Sequence, residues 1–329
     1  LKYLNLFLLY FFVKGGINSL MKTGIALFVY NRPEHTHEVL KGLHRNNIQK
    51  LYIFSDGFKD EKDKDPVEKV RNLIDSIDWC ETEIIKGERN KGLADSIVHG
   101  VNYVLERHTR IIVLEDDCVP TDDFIVFMEK CFDKYKNNEK VMNVSGYSLP
   151  INIPNDYPYD IYFSYRASSW GWGTWRRAWK YFDRNKSILA EIEKSPNLRK
   201  KINRAGEDLI PMLKNQINGK LDSWAVFWAI NIIKNDGVCV NPVKSRIKNI
   251  GHDGTGIHCG HNNRYEIKII KEDINLLHLP DKIVINDTIV NRYKKFFHIS
   301  LKNKAKRVIS NILKIMGLYK FVKKLKRKL

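Results

Sequence analysis

The run IIVLEDDCVP, Ile111 to Pro120, sets four aliphatic residues directly against three carboxylates. Four consecutive apolar residues without polar alternation suit a strand buried on both faces. Pro120 stops the run, and Asp122 is placed to cap a following helix. Three adjacent carboxylates at the end of such a strand repel one another and raise each other's pKa. A divalent cation would relieve that repulsion. Carboxylate oxygens suit Mg2+ or Mn2+, ions that complete their shells with substrate phosphates and water. A solvated acidic turn is the competing reading.

Upstream, the pattern repeats. Gly24–Tyr30 (GIALFVY) is a second apolar run, and Arg32-Pro33-Glu34 opens a helical stretch to about Arg45, with Pro in the first turn. Leu51–Ser55 ends on Asp56-Gly57, and a charged helix follows. A third strand lies near Glu83–Lys86, then Asn90-Lys91-Gly92 and a helix over about Leu93–Glu106 with Ile97, Val101, Val104 and Leu105 on one face. Short apolar strands alternating with amphipathic helices imply βαβ units and a mainly parallel sheet. Ligands of such sheets bind beyond the carboxyl ends of the strands, where Asn31-Arg32, Asp56-Gly57 and the acidic triplet all fall.

Downstream the regularity fades. The pattern predicts a helix over about Asp122–Tyr135 and a strand over Val141–Val144. The aromatic, Gly-rich segment Tyr162–Trp175 comes next, then a helical region including Leu198–Ile217 and another helix starting near Asp222. The Gly-rich loop Asn249–Cys259 carries His252 and His258.

Four motifs occur in an order that resembles the GT-A glycosyltransferases: FVYNRPE at the first strand, IFSDG at the second, VLEDDCVPTDDF at the fourth and KSRIKNIGHDGTGIHCG late in the chain. The resemblance covers about residues 24–262. It is nearest to the N-acetylglucosaminyltransferases that begin complex N-glycans and to bacterial family-2-like enzymes of surface-polysaccharide assembly. It implies an α/β fold with a mixed, mainly parallel sheet flanked by helices, followed by a basic amphipathic helical tail. Residues 21–150 would form the nucleotide-sugar half and 151–290 the acceptor and catalytic half of one domain.

The resemblance also implies roles. Arg32 would lie near the base, and Asp56 would accept a hydrogen bond from it. Glu115 and Asp116 would contact ribose and sugar, and Asp117 would bind the metal. Lys91 and Asp95 match a donor-side loop, and Ser245 and Arg246 would help bind the diphosphate. The Gly-aromatic loop, Trp170, Gly171 and Trp172, would face donor and acceptor, since aromatic faces stack on sugar C–H surfaces; Trp175 and Trp179 would pack. His258 would ligate the metal or a phosphate, with His252 the weaker candidate. Asp222 would be the catalytic base that takes the acceptor proton. The related pattern has two adjacent acids where this chain has Asp222-Ser223, and Asp222 could instead serve only as a helix cap. Glu207 and Asp208 are the reserve bases.

The formal charge of +18 is localised: fourteen Lys and Arg and no acid lie between Asn291 and Leu329, leaving +4 on the first 290 residues. A uniformly basic nucleic-acid binder would look different. Val308, Ile312, Ile315, Tyr319 and Val322 fall at helical spacing, with lysines opposite, which suits a membrane-surface helix. The expected setting is cytoplasmic, peripheral at the inner face of the cell membrane, with a glycan or lipid-linked acceptor and no nucleic acid. Five scattered cysteines without a C-x-x-C pair argue against a disulfide framework or structural zinc and for a reducing compartment. Residues 1–20 are expected to be upstream leader, with Met21 the natural start. Two other classes compete with this reading. A sugar-phosphate nucleotidyltransferase wants a Gly-rich basic loop after the first strand, where this chain has Tyr30-Asn31-Arg32-Pro33. A non-catalytic membrane- or nucleic-acid-associated protein would depend on the tail alone.

Overall fold

The computed structural model describes residues 21–253, 263–269 and 274–298. The expected leader, His258, Cys259 and the tail beyond residue 298 lie outside them. An eight-stranded mixed sheet runs in the order β3-β2-β1-β4-β8-β6-β9-β7. Its first half is parallel: β1 (Met21–Val29), β2 (Lys50–Ser55), β3 (Glu81–Lys86) and β4 (His108–Glu115). The helices that follow the first three strands are α1 (Pro33–Arg45), α2 (Glu61–Asp75) and α3 (Leu93–Leu105). The two apolar runs sit at the centre, with Ala26 opposite Val113 and Phe28 opposite Glu115. That register brings the end of β1 beside the acidic triplet. β3, on one edge, carries Glu81, Glu83 and Lys86 and is only partly buried, as suits an exposed edge.

The second half is mixed. After β5 (Cys118–Pro120) and α4 (Phe124–Tyr135) come β6 (Val141–Ser145), β7 (Ile161–Ser164) and β8 (Trp172–Trp175). β8 lies antiparallel between β4 and β6, and β9 (Val238–Pro242) joins β6 in parallel and β7 antiparallel. Two strands thus lie within the aromatic segment, where no strand was expected. Trp172 and Trp175 line up as strand residues, both nearly fully buried, because aromatic side chains favour a pleated, covered surface.

Short helices α5 (Arg176–Trp179) and α6 (Ile188–Lys194) lead to α7 (Pro196–Ala205) and α8 (Leu209–Ile217). These last two replace the single helical region expected over Leu198–Ile217; they are separated at Gly206, whose φ is +150°. The helix expected near Asp222 is α9 (Ala225–Lys234), so Asp222 precedes it and does not cap it. β10 (Ile247–Asn249) pairs antiparallel with β5, Asn249 opposite Cys118. α10 (Asp287–Phe296) buries Ile289, Val290 and Tyr293, so the first turns of the basic segment belong to the body. Among the described residues no helix is long and apolar enough to cross a membrane. Cys118, Cys131 and Cys239 are buried free thiols and Cys80 is a partly buried one.

Candidate active site

From β1 the chain steps one way to β2 and β3, while β4 lies on β1's other side. Helices leaving β1 and β4 therefore diverge, and a crevice opens at their carboxyl ends. A cavity of about 780 Å³ occupies it, a size in the range of small-molecule sites. Tyr30, Asn31 and Arg32 from the end of β1, Asp56 from β2 and Glu115, Asp116 and Asp117 from β4 line one end. Trp170, Asp222 and His252 line it from the second half.

Arg32 ends the loop after β1, and the following Pro33 starts α1. Its Nη2 bridges Asp116 and Asp117, at 2.9 Å from Asp117 Oδ2. Burial opposes the guanidinium charge, but Asp116 and Asp117 outweigh it and hold Arg32 firmly protonated. Arg32 Nη1 is buried with no hydrogen-bond partner among the described residues. A donor of that kind, unpaired beside a cavity, is costly unless a ligand supplies an acceptor.

Burial drives the Glu115 carboxyl well above the ordinary carboxylate range, and the charges of Asp117 and Asp116 add to it against Arg32. Burial also raises Asp116, with Arg32 opposing. One guanidinium thus fails to offset three carboxylates, and a further cation would favour their ionised forms. Among the described residues no three His, Cys, Asp or Glu side chains form a complete metal-ligand set. The acidic end is instead all hard oxygen, matching Mg2+ or Mn2+ held by one or two carboxylates and the phosphates of a substrate.

The late loop is stitched to this end. Ile250 N–H donates to the Asp117 carbonyl at 2.9 Å, and Asn249 Nδ2 to Asp117 Oδ1 at 3.2 Å. A Cβ on Gly251 would lie 2.3 Å from Asp117 Oδ2, so backbone alone fits there. His252, next along, packs its ring at 5.3 Å from both Tyr265 and Trp170. Both its ring nitrogens are buried without a partner among the described residues.

Asp222 lines the same cavity from the second half of the chain. Its Oδ2 accepts from Ala94 N–H at 3.3 Å, in the first turn of α3, where the helix dipole favours a carboxylate. Among the described residues no partner holds its Oδ1, which leaves that oxygen to take a proton. The reserve bases are committed elsewhere: Asp208 accepts two bonds from Arg166, at 2.7 and 2.9 Å, and Glu207 pairs with His298.

Other expected residues divide. Asp56 lines the cavity, but its carboxylate accepts the backbone N–H groups of Gly57, Lys91 and Gly92 at 2.9–3.1 Å. Lys91 contributes that amide, and its exposed side chain is not part of the lining. Asp95 is also outside the lining, paired with Arg184 at 2.6 Å. Arg246 is buried away from the cavity against Asp123 and the Phe127 ring. Ser245 is likewise buried and holds the loop backbone, its hydroxyl donating to Ile247 O. Trp170 faces the cavity edge-on to Tyr147. Gly171 and Trp172 lie outside the lining, and Trp172 is fully buried, stacked on Trp224 at 4.5 Å. Trp175 and Trp179 are packing residues.

Sequence reasoning missed three groups. Asp63 holds both Tyr30 Oη at 2.8 Å and Asn31 Nδ2 at 2.9 Å, and burial, with that bond, pushes the Tyr30 hydroxyl up to about 12. Asp63 sits in a helix so charged that nothing marks it out. Arg166, also in the cavity lining, carried no more signal than a lone cation among aromatics. Tyr147 and Tyr265 complete the aromatic wall around Trp170, and the Tyr147 hydroxyl donates to the Tyr265 carbonyl across 118 residues, a contact that no local pattern reports.

No family model matches the chain, and no curated protein matches it. Among solved structures, it is similar to a mannosyltransferase from Pyrobaculum calidifontis in complex with GDP-Man and Mn2+. That match has a TM-score of 0.39 and 11% identity over 67% of this chain and 75% of the other. It is similar to residues 1–349 of S. aureus TarS, with a TM-score of 0.39 and 12% identity; it covers 69% of this chain but only 60% of that one. A 4-diphosphocytidyl-2C-methyl-D-erythritol synthase from Anaerococcus prevotii gives a TM-score of 0.36 and 8% identity over 69% of this chain and 92% of the other. At that distance these likenesses say nothing of what this chain binds.

Proposed function

We propose that the chain is a metal-dependent, inverting glycosyltransferase that moves a sugar from a nucleotide diphosphate-sugar, a UDP-sugar, to a hydroxyl of a glycan or lipid-linked acceptor in surface-polysaccharide synthesis. One observation carries this: a cation-seeking carboxylate cluster, a partly buried arginine whose Nη1 is unpaired among the described residues, and a separate carboxylate share one cavity. Sugar transfer needs that division. The leaving diphosphate must be neutralised, and the acceptor hydroxyl must lose a proton to a different group.

Asp117 would hold Mn2+ or Mg2+, which would supply Lewis-acid stabilisation of the leaving diphosphate. Arg32 Nη1 donates to a phosphate or base oxygen. Asp222 Oδ1 accepts the acceptor proton while Oδ2 stays anchored at α3. Trp170, with Tyr147 and His252 behind it, offers an aromatic face to a sugar ring. Lys91 holds Asp56 through its backbone amide, and Arg246, Gly171 and Trp172 pack outside the lining. His258 is kept as a ligand or phosphate contact from outside the described residues. The basic segment after residue 290 would hold the enzyme at an anionic inner-membrane surface, where each cation contributes about 1 kcal/mol.

Thermal unfolding tests the donor half. UDP with Mn2+ is expected to raise the Tm, by about 2.7 kcal/mol of stabilisation at a hundredfold excess over Kd, and chelator is expected to remove most of the shift. A Tm unmoved by UDP, GDP or CDP with either metal would sink the proposal.

A further inference from the structure

The turn Asn90–Ala94 lies between two carboxylates. On one side Asp56 takes the N–H groups of Lys91 and Gly92 at 3.0 and 3.1 Å, together with that of Gly57 at 2.9 Å. On the other, Asp222 Oδ2 takes Ala94 N–H at 3.3 Å. Gly92 stands between them. Its N–H is held by Asp56, its carbonyl accepts Ser96 N–H at 3.0 Å to open α3, and its Cα faces Asp222. Its φ of +83° and ψ of 163° belong to a region essentially reserved for glycine. A Cβ there would lie 2.9 Å from Asp222 Oδ2, the end of a side chain that can move, and the next nearest atom, 3.9 Å away, belongs to the same carboxylate. Any side chain at residue 92 would therefore displace the carboxylate.

We propose that Gly92 is a positioning residue: through the turn it shapes, Asp56 fixes where the Asp222 carboxylate sits, so that Oδ1 faces the acceptor. This rests on the glycosyltransferase reading with Asp222 as base. It also gives Asp56 a different task from reading the nucleotide base. Its oxygens accept four amide contacts, so its work is to hold the turn. No side chain can replace Gly92 without strain, and none is needed, because the turn's own amides make every contact.

The test uses the full chain, with UDP-glucose, UDP-galactose and UDP-N-acetylglucosamine as donors and UDP with Mn2+ as the binding probe. Gly92→Ala is expected to bind UDP and to show a donor KM within about twofold of the original protein. Its kcat is expected to fall by about 10²-fold, the scale of a displaced catalytic group. Adding Gly92→Ala to Asp222→Asn should cost nothing more, because residues acting as a unit are not additive. A near-normal kcat in Gly92→Ala, or losses that multiply in the double variant, would overturn the proposal. If Gly92→Ala does not fold, Ala94→Pro removes the same amide donor at a first-turn position that tolerates proline, and the same selective loss of kcat is expected. Normal turnover by Asp222→Asn would instead refute the base assignment. The crystal structure of Gly92→Ala then decides the positioning by itself: Asp222 displaced from Ala94 N–H upholds it, and Asp222 unmoved overturns it.

Discussion

Asp222→Asn is expected to lower transfer by about 10²- to 10⁴-fold, the range a positioned general base contributes, with UDP binding unchanged. The asparagine is nearly isosteric, and its carbonyl oxygen can still accept from Ala94 N–H, so the wall of the cavity stays in place. What is lost is a group able to hold the acceptor proton. Glu207 and Asp208 cannot substitute, since Asp208 is held by Arg166 and Glu207 lies against His298. Steady-state kinetics beside calorimetric UDP titration checks the prediction. A loss confined to kcat agrees with it; a loss of UDP affinity of the same size places Asp222 in the donor site instead.

Arg32→Met is expected to cost both stability and nucleotide binding. Removing one partner of a buried ion pair typically costs about 3–5 kcal/mol, because the other charge is left uncompensated. Here the remaining carboxylates are three. Arg32 Nη2 is the cation between Asp116 and Asp117, and burial already favours the neutral forms of Glu115 and Asp116. Without Arg32 their pKa values rise further. The deficit should therefore be largest at neutral pH, where folding must bury their charges or take up protons to neutralise them, and should shrink as pH falls and the same groups are protonated in the unfolded chain too. Denaturant unfolding at several pH values measures this. A pH-independent deficit would point to lost packing alone. A saturating Mn2+ concentration is expected to recover part of the stability but not the UDP affinity that depends on Nη1.

The parallel half of the fold was legible because each element announces itself locally. GIALFVY and IIVLE are unbroken apolar runs, and the helix after β3 shows its apolar face at 3.6-residue spacing. The acidic strand end and Arg32 were legible for the same reason: each sits where a strand must stop. The mixed half was less so. β8 is only the four residues Trp172-Gly173-Thr174-Trp175, and its partners lie about sixty residues upstream in β4 and about thirty in β6, so only tertiary pairing makes it a strand. Asp222 and Asp56 were visible as acids, but their joint grip on the Gly92 turn was not, since it joins residues 128 and 36 positions apart. Trp170 and Trp172 are two residues apart and looked equivalent. Trp170 precedes β8 and, across the left-handed Gly171 (φ +54°), lines the cavity, whereas Trp172 inside the strand is buried in the core.

The central claim is that the acidic end of β4 is the diphosphate side of a nucleotide-sugar site. The most direct measurement is nucleotide release from a panel of UDP- and GDP-sugars by the full chain, with Mn2+, with chelator and with Mn2+ restored. Release that requires the metal, recovers on its return and is lost in Asp117→Asn is the predicted result. Release that continues unchanged in chelator, or no release from any donor under any of these conditions, would contradict it.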